Sequence, residues 1–471
     1  MSALSKTVSS RSRSTRLVLL PLAAGFGIAS CAHDAASHST NGDEAGAGSS
    51  VVWSPAKVLT SPTGGGAAPV FAVSPSGNLA LAWVSAPNGG SDGRLYVRSD
   101  AAQPDTSRPV ELRDPLGSLS IYGEVPPKVA FAPNGALYAA YIVTKLVPGK
   151  RWPQNALRFA VSRDGGAHWD TPTTVTGDSV FGSYDDHALH VAPDGTIYLS
   201  WLAMASDDTS HAYFSRSADG GKTWSKPAVI DQDRACPCCR TTMASGPDGA
   251  LYVAWRKRFA APGGEERDIV VAKSTDKGVS WNAPVRVHAD AWKVNYCPDA
   301  GPSVKVGRDG TVHVAWWTGK EGSAGTQYAR SGDGGRTFSA PVALGLAQYS
   351  RAAHIQVTLG SGIDSSLVVA TWDDGTRRVP QVVTRISRDA GRTFGPAITV
   401  SDSQHEAGYP VVAVRGDTIV VAWQERTLAA AAAESASLAK KDTLDPATYV
   451  NNVGALQVVT RRGVIAGSGT Q

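Results

Sequence analysis

SADGGKTWSKPAVI, residues 217–230, is the stretch whose reading decides the fold. Its serine and aspartate side chains can bond the backbone amides of a tight turn, and the glycine supplies the positive φ that such a turn needs. The tryptophan is then placed to pack between neighbouring sheets. The same pattern, Ser-x-Asp-x-Gly-x-x-(Trp/Phe), starts at Ser162, Ser274, Ser331 and Ser387, so that Asp164, Asp219, Asp276, Asp333 and Asp389 recur at intervals of 55 to 57 residues. Self-similarity at a constant period marks an array of like units, and these aspartates are structural.

A second element alternates with the first: a hairpin that ends in an aromatic, as in HVAPDGTIYLSW or MASGPDGALYVAW. Seven such hairpins close at Trp83, Tyr141, Trp201, Trp255, Trp316, Trp372 and Trp423. The chain is rich in Gly and Pro, has short alternating apolar runs and shows almost no helical periodicity, which is an all-β composition. The serine-aspartate motif resembles the Asp-box, or BNR repeat, of the sialidase-like β-propellers, over residues 53–463. The expected fold is therefore a β-propeller of seven four-stranded antiparallel blades, with six blades and an accessory hairpin as the alternative. WSPAKVLT, from Trp53, matches the strand that follows each box although no box precedes it, so the N-terminal strand is expected to complete the last sheet. Closure of this kind removes the free edge on which sheets aggregate. The stretch 427–447 is Ala-rich and reads as a helical insertion, and 464–471 reads as a disordered tail.

The first 30 residues carry Lys6, Arg11, Arg13 and Arg16 ahead of an apolar run too short to span a bilayer, and end in Ile28-Ala29-Ser30-Cys31, which resembles a bacterial lipobox. The expectation is an exported lipoprotein anchored through Cys31 to the outer membrane, facing periplasm or cell exterior, with 31–52 as a flexible linker. Loss of that leader takes four basic and no acidic residues from a chain of formal charge +4 and leaves it neutral. A neutral chain excludes nucleic acid as a partner and fits a monomer whose contacts are the membrane and a glycan or small-molecule ligand.

Features repeated in every blade serve the ring, whereas features present once are candidates for function. The connections from each outermost strand to the next innermost strand should open on one face, around the axis. They bring Asp185, Asp186 and His187, the cysteines of RACPCCR (Cys236, Cys238, Cys239) with Arg240, then Cys297 with Asp299, Arg351 with His354, and His405, Glu406 and Tyr409 towards one mouth. Three of the four thiols lie within Cys-Pro-Cys-Cys, so complete pairing would force a bridge inside that tetrapeptide. Two structural disulfides, one bridge to Cys297 with two thiols left over, a soft-metal site for Cu(I) or Zn(II), and a redox or nucleophilic thiol all remain open. The sialidase resemblance implies arginines that clamp a carboxylate, a Tyr–Glu nucleophile and an Asp acid, for which Arg240, Arg351, Tyr409, Glu406 and Asp185 or Asp186 are the available residues. The Arg-Ile-Pro signature of those enzymes is absent from the first blade; Lys128, in EVPPKV, is the basic residue offered there. Trp316-Trp317 and Arg256-Lys257-Arg258 are expected on loops of the same face.

Overall fold

The computed structural model describes residues 51–60, 65–86, 92–99, 109–149, 153–177, 180–204, 209–346, 352–360, 366–439 and 455–466. Cys31, with the expected leader and most of the linker, and Arg351 lie outside them. The described chain forms seven antiparallel sheets. The innermost strands, Ala67–Val73, Lys128–Phe131, Tyr184–Val191, Thr242–Ser245, Ser303–Val306, Gln356–Leu359 and His405–Arg415, each neighbour the next, and the seventh returns to the first. In blades one to six the strands run outward in chain order. The seventh sheet is closed by the N-terminus: Val51–Trp53 and Lys57–Val58 both pair with Gln457–Ile465. Helix is confined to Leu428–Ala439 among the described residues, inside the expected insertion, whose residues 440–447 lie outside them.

The boxes do what their residue types dictate. In blade three, Ser217 Oγ donates to Asp219 Oδ1 at 2.8 Å and accepts the Gly221 N–H at 2.9 Å, while Asp219 accepts the Thr223 N–H and hydroxyl. Those bonds hold the Asp219 carboxyl down at about 2. Gly221 is required twice over: its φ is +86°, and a Cβ there would overlap the Phe159 ring of the preceding blade. The box aromatic then meets that ring edge-on, Trp224 on Phe159 at 5.1 Å, and the contact repeats as Trp281 on Phe214 and Phe394 on Tyr328. Each box thus staples its blade to the one before. All seven hairpin aromatics are buried, and they fill the space between sheets.

Two consequences bear on the site. The turns within the hairpins and the boxes lie at one end of the ring, which leaves the connections between blades to converge at the other. Three innermost strands also start with a β-bulge: register shifts fall at Ala67/Val70, Asp185/Ala188 and Gly408/Val411, and within them Ala68, Asp186 and Tyr409 have φ of 56°, 56° and 52°. A bulge re-aims the side chain it carries, and left-handed non-glycine backbone persists only where its surroundings hold it.

Candidate functional site

The connection between blades three and four begins as an extension of sheet. Ala235 bridges Lys257, and the Cys236 N–H donates to the Arg256 carbonyl at 2.8 Å. The reason is that the second strand of blade four runs on to Ala261, well beyond Trp255. Arg256, Lys257 and Arg258 therefore lie in a strand, a correction to their expected loop position; Trp316 and Trp317 are likewise buried within Val312–Thr318. Lys257 Nζ is held by Asp231 and Asp233, each at 2.7 Å, and Arg258 by Glu265.

From that extended edge the chain turns through Pro237 and gathers the thiols. Cys236 Sγ lies 3.4 Å from Cys239 Sγ and 3.7 Å from Cys238 Sγ. Cys238, Cys297 and Asp299 form a second triad, their ligand atoms all within 4.8 Å of one another. No pair is at bonding distance, and all four are free thiols. Cys236 and Cys239 are fully buried, Cys238 is half-buried and Cys297 is exposed. Two guanidiniums back the cluster. Arg267 Nη1 sits 3.5 Å from Cys236 Sγ and also donates to the Tyr296 carbonyl. Arg256, 0 % exposed and packed against the Trp292 ring, donates to the carbonyls of Arg267, Ala300 and Trp317. Neither guanidinium has a carboxylate partner among the described residues. Hydrogen bonds from Cys238 and Cys239, together with these two positive charges, pull the Cys236 thiol well below its ordinary range. A buried cation without a counter-charge is costly, so the site favours a thiolate at Cys236, while hydrogen bonds to neighbouring thiols push Cys238 up and burial does the same to Cys239.

Beside the thiols lies a polar cluster centred on a residue that the loop-by-loop reading passed over. Glu124, 1 % exposed, accepts from Arg240 Nη1 and from the Gly301 N–H, each at 3.1 Å, and lies 3.5 Å from His354 Nε2. One carboxylate from the edge of blade two thus ties together three other connections. His354 Nδ1 donates to Asp373 at 2.7 Å and Nε2 to the Asp299 carbonyl at 3.1 Å. Acceptors at both ring nitrogens suit the imidazolium: burial alone would lower the His354 pKa, but Asp373 and Glu124 raise it. Tyr409 stacks on the His354 ring at 3.8 Å and packs over Gly123; its hydroxyl has no hydrogen-bond partner among the described residues. Asp299 (φ 48°) lies close enough to Tyr122 to act on its phenol. Burial, together with mutual repulsion within the carboxylate group, lifts Asp185 to about 7 and Asp299 to about 6, and raises Asp186 as well.

Of the expected residues, the four cysteines, Asp185, Asp186, Arg240, Asp299, His354 and Tyr409 come together. Three do not join them. His187 donates to the Ala140 carbonyl from a buried position, a packing role that holds blade three to blade two. His405 pairs with Asp402 at 3.0 Å, on its own rim. Glu406 accepts from Arg426 at 2.9 Å; the carboxylates acting on Tyr409 are Glu124, Asp373 and Asp299 instead. Arg240 is committed to Glu124, so it is not a free clamp for a substrate carboxylate. One signal could have found the missed Asp373 and set Arg256 apart from its neighbours. The position after each hairpin aromatic reads Val84, Ile142, Leu202, Arg256, Trp317, Asp373 and Gln424, and the charged exceptions to an apolar pattern are Arg256 and Asp373.

The likeness to solved structures is one of fold. An ulvan lyase of a polysaccharide lyase family is 14 % identical, with a TM-score of 0.52 over 78 % of this chain and 93 % of its own. A Dyadobacter fermentans protein of unknown function is 18 % identical, with a TM-score of 0.49 over 88 % and 99 %. A Hadza microbial sialidase is 16 % identical, with a TM-score of 0.45 over 84 % and 78 %. No curated protein matches the chain. The BNR repeat-like domain matches residues 77–315, half of the sequence, and the five boxes and seven closed sheets agree with it: the chain belongs to the BNR repeat-like family.

Proposed function

We propose that this propeller is an exported, lipid-anchored protein that binds a soft, thiophilic metal ion, Cu(I) or Zn(II), at its axial mouth. Cys236, Cys238, Cys239 and Cys297 would hold the ion, with the Asp299 carboxylate within reach of the Cys238–Cys297 side. The observation that carries this reading is the pair of buried guanidiniums without carboxylate partners, Arg256 and Arg267, behind four convergent free thiols. Four thiolates around Zn(II), or three around Cu(I), carry two negative charges, which the two guanidiniums offset. The all-sulfur donor set suits soft ions and not Mg²⁺ or Ca²⁺. Purified protein loaded anaerobically with Cu(I) or Zn(II) is expected to retain one ion per chain. Cys236→Ser and Cys239→Ser should lose it while His405→Ala keeps it; equal retention in all of them would refute the reading.

A second reading has its own support. Tyr409 presents an unbonded phenol beside the His354–Asp373 pair, and Asp185 titrates near neutrality, which is acid–base equipment suited to a glycan ligand. The ulvan lyase fold likeness favours the same ligand class. A sialidase-type reaction is the less favoured form, because Arg240 is already paired. Turnover of sialosides or anionic polysaccharides that is lost in Tyr409→Phe, in metal-free protein, would establish this second activity.

A further inference from the structure

Below the mouth, the innermost strands surround an axial cavity of about 390 Å³. Its wall includes Lys128, His190, Arg240 and Lys305 and contains no aspartate or glutamate. Arg240 is neutralised by Glu124 from above the cavity, and Lys128 Nζ donates to the Pro126 carbonyl at 2.9 Å. The Lys305 ammonium has no hydrogen bond or ion pair among the described residues, and the residue is exposed and lines this cavity. The repeat makes the placement informative. Five residues before the hairpin-turn glycine, blades one, two and four carry Ala72, Ala130 and Ala244, whereas blades three and five carry His190 and Lys305. At the same register blade seven carries Ala413 and blade six Thr358, so a level filled by a methyl group in four blades has three polar exceptions, His190, Lys305 and Thr358, and Lys305 is the one that brings a lysine.

We propose that the axial cavity binds a small oxyanion, of the phosphate or sulfate class, between Lys305 and Lys128. Lys305 offers an ammonium without a counter-ion, and Lys128 a second one higher in the same cavity. Gln356 and Thr358 of blade six add neutral polar groups to the wall. Burial and the neighbouring Arg240 charge lower Lys128 to about 7, the response of a cation placed where an added anion would favour the charged form. An oxyanion accepts several charge-assisted hydrogen bonds from such a pair, and its negative charge is opposed by no carboxylate in the wall. The site is separate from the thiol cluster and stands whether or not a metal is bound there.

The test is calorimetric titration of the folded chain with inorganic phosphate and, in parallel, with sulfate, in a buffer free of other oxyanions. Saturable binding of one ion per chain is expected in at least one arm, and the arm identifies the source. Lys305→Met should weaken it roughly tenfold or more, the loss of one charge-assisted bond, while Lys305→Arg retains it. The bound ion should also raise the melting temperature of the native chain and of Lys305→Arg but not of Lys305→Met, a readout that does not need the titration. Lys277→Met, which removes an exposed lysine paired with Asp194, serves as the control and should bind as the native chain does. Absence of saturable binding in both arms, or equal binding by Lys305→Met, overturns the proposal.

Discussion

Replacing Glu124 by glutamine removes one negative charge and leaves the shape of the site almost unchanged. Glu124 and the Arg240 guanidinium are 1 % and 6 % exposed and 3.1 Å apart, and the same carboxylate lies 3.5 Å from the His354 imidazole. The substitution therefore strands a buried guanidinium and weakens the support of a buried imidazolium. Breaking a buried ion pair from one side costs about 3–5 kcal/mol. At an unfolding entropy of about 2.1 cal/mol/K per residue over a ring of this size, that loss lowers the melting temperature by about 5 °C. Calorimetry of Glu124→Gln, Arg240→Met and the double variant separates the pair from the rest of the fold. The double variant should be less destabilised than the sum of the singles by about 2 kcal/mol, because it leaves no stranded charge. A single-variant loss under about 1 kcal/mol, or strict additivity, would refute the account of Glu124 as the tie between four connections.

Three further outcomes follow from named contacts. Gly391→Ala puts a Cβ into the Tyr328 hydroxyl at φ +79°, whereas Gly135→Ala, at φ +84°, meets open space. Denaturant titration should find a loss of about 1 kcal/mol for Gly135→Ala and at least ~2 kcal/mol more for Gly391→Ala. Burial holds His187 at about 3, below its ordinary 6.5, so the unfolded chain takes up a proton that the fold refuses. Its contribution is intact above pH 6.5 and is lost as pH falls towards 3, on the order of 4 kcal/mol in all; His187→Gln should flatten this part of the stability–pH curve. Arg267→Met should leave the ring folded and weaken metal retention about 10- to 100-fold in a competition with a chelator, as loss of a group supporting metal ligands does.

Ring closure, blade number and box chemistry were legible because each is repeated, and repetition turns a weak local signal into a strong one. The convergence of Cys236, Cys239 and Cys297 was legible for a related reason: knowing which connections share an end of the ring is enough to bring them together. What escaped is what depends on single strands departing from the repeat. The bulges at Asp186 and Tyr409 depend on left-handed backbone that neither residue type announces, and they decide which side chains face the mouth. The extension of one strand to Ala261 converted an expected basic rim into a buried guanidinium held by backbone carbonyls, Arg256, and two ion-paired groups, Lys257 and Arg258. Glu124 was hidden by its context, since a carboxylate ahead of two prolines reads as an exposed turn until the three connections that it holds are seen.

Native, non-reducing mass spectrometry of the purified protein, followed by thiol counting after chelation and denaturation, addresses the thiol cluster directly. The account predicts one bound copper or zinc ion per chain and four alkylatable thiols at Cys236, Cys238, Cys239 and Cys297 once the ion is removed. A metal-free chain whose mass and blocked thiols report two disulfides among those four residues would contradict it.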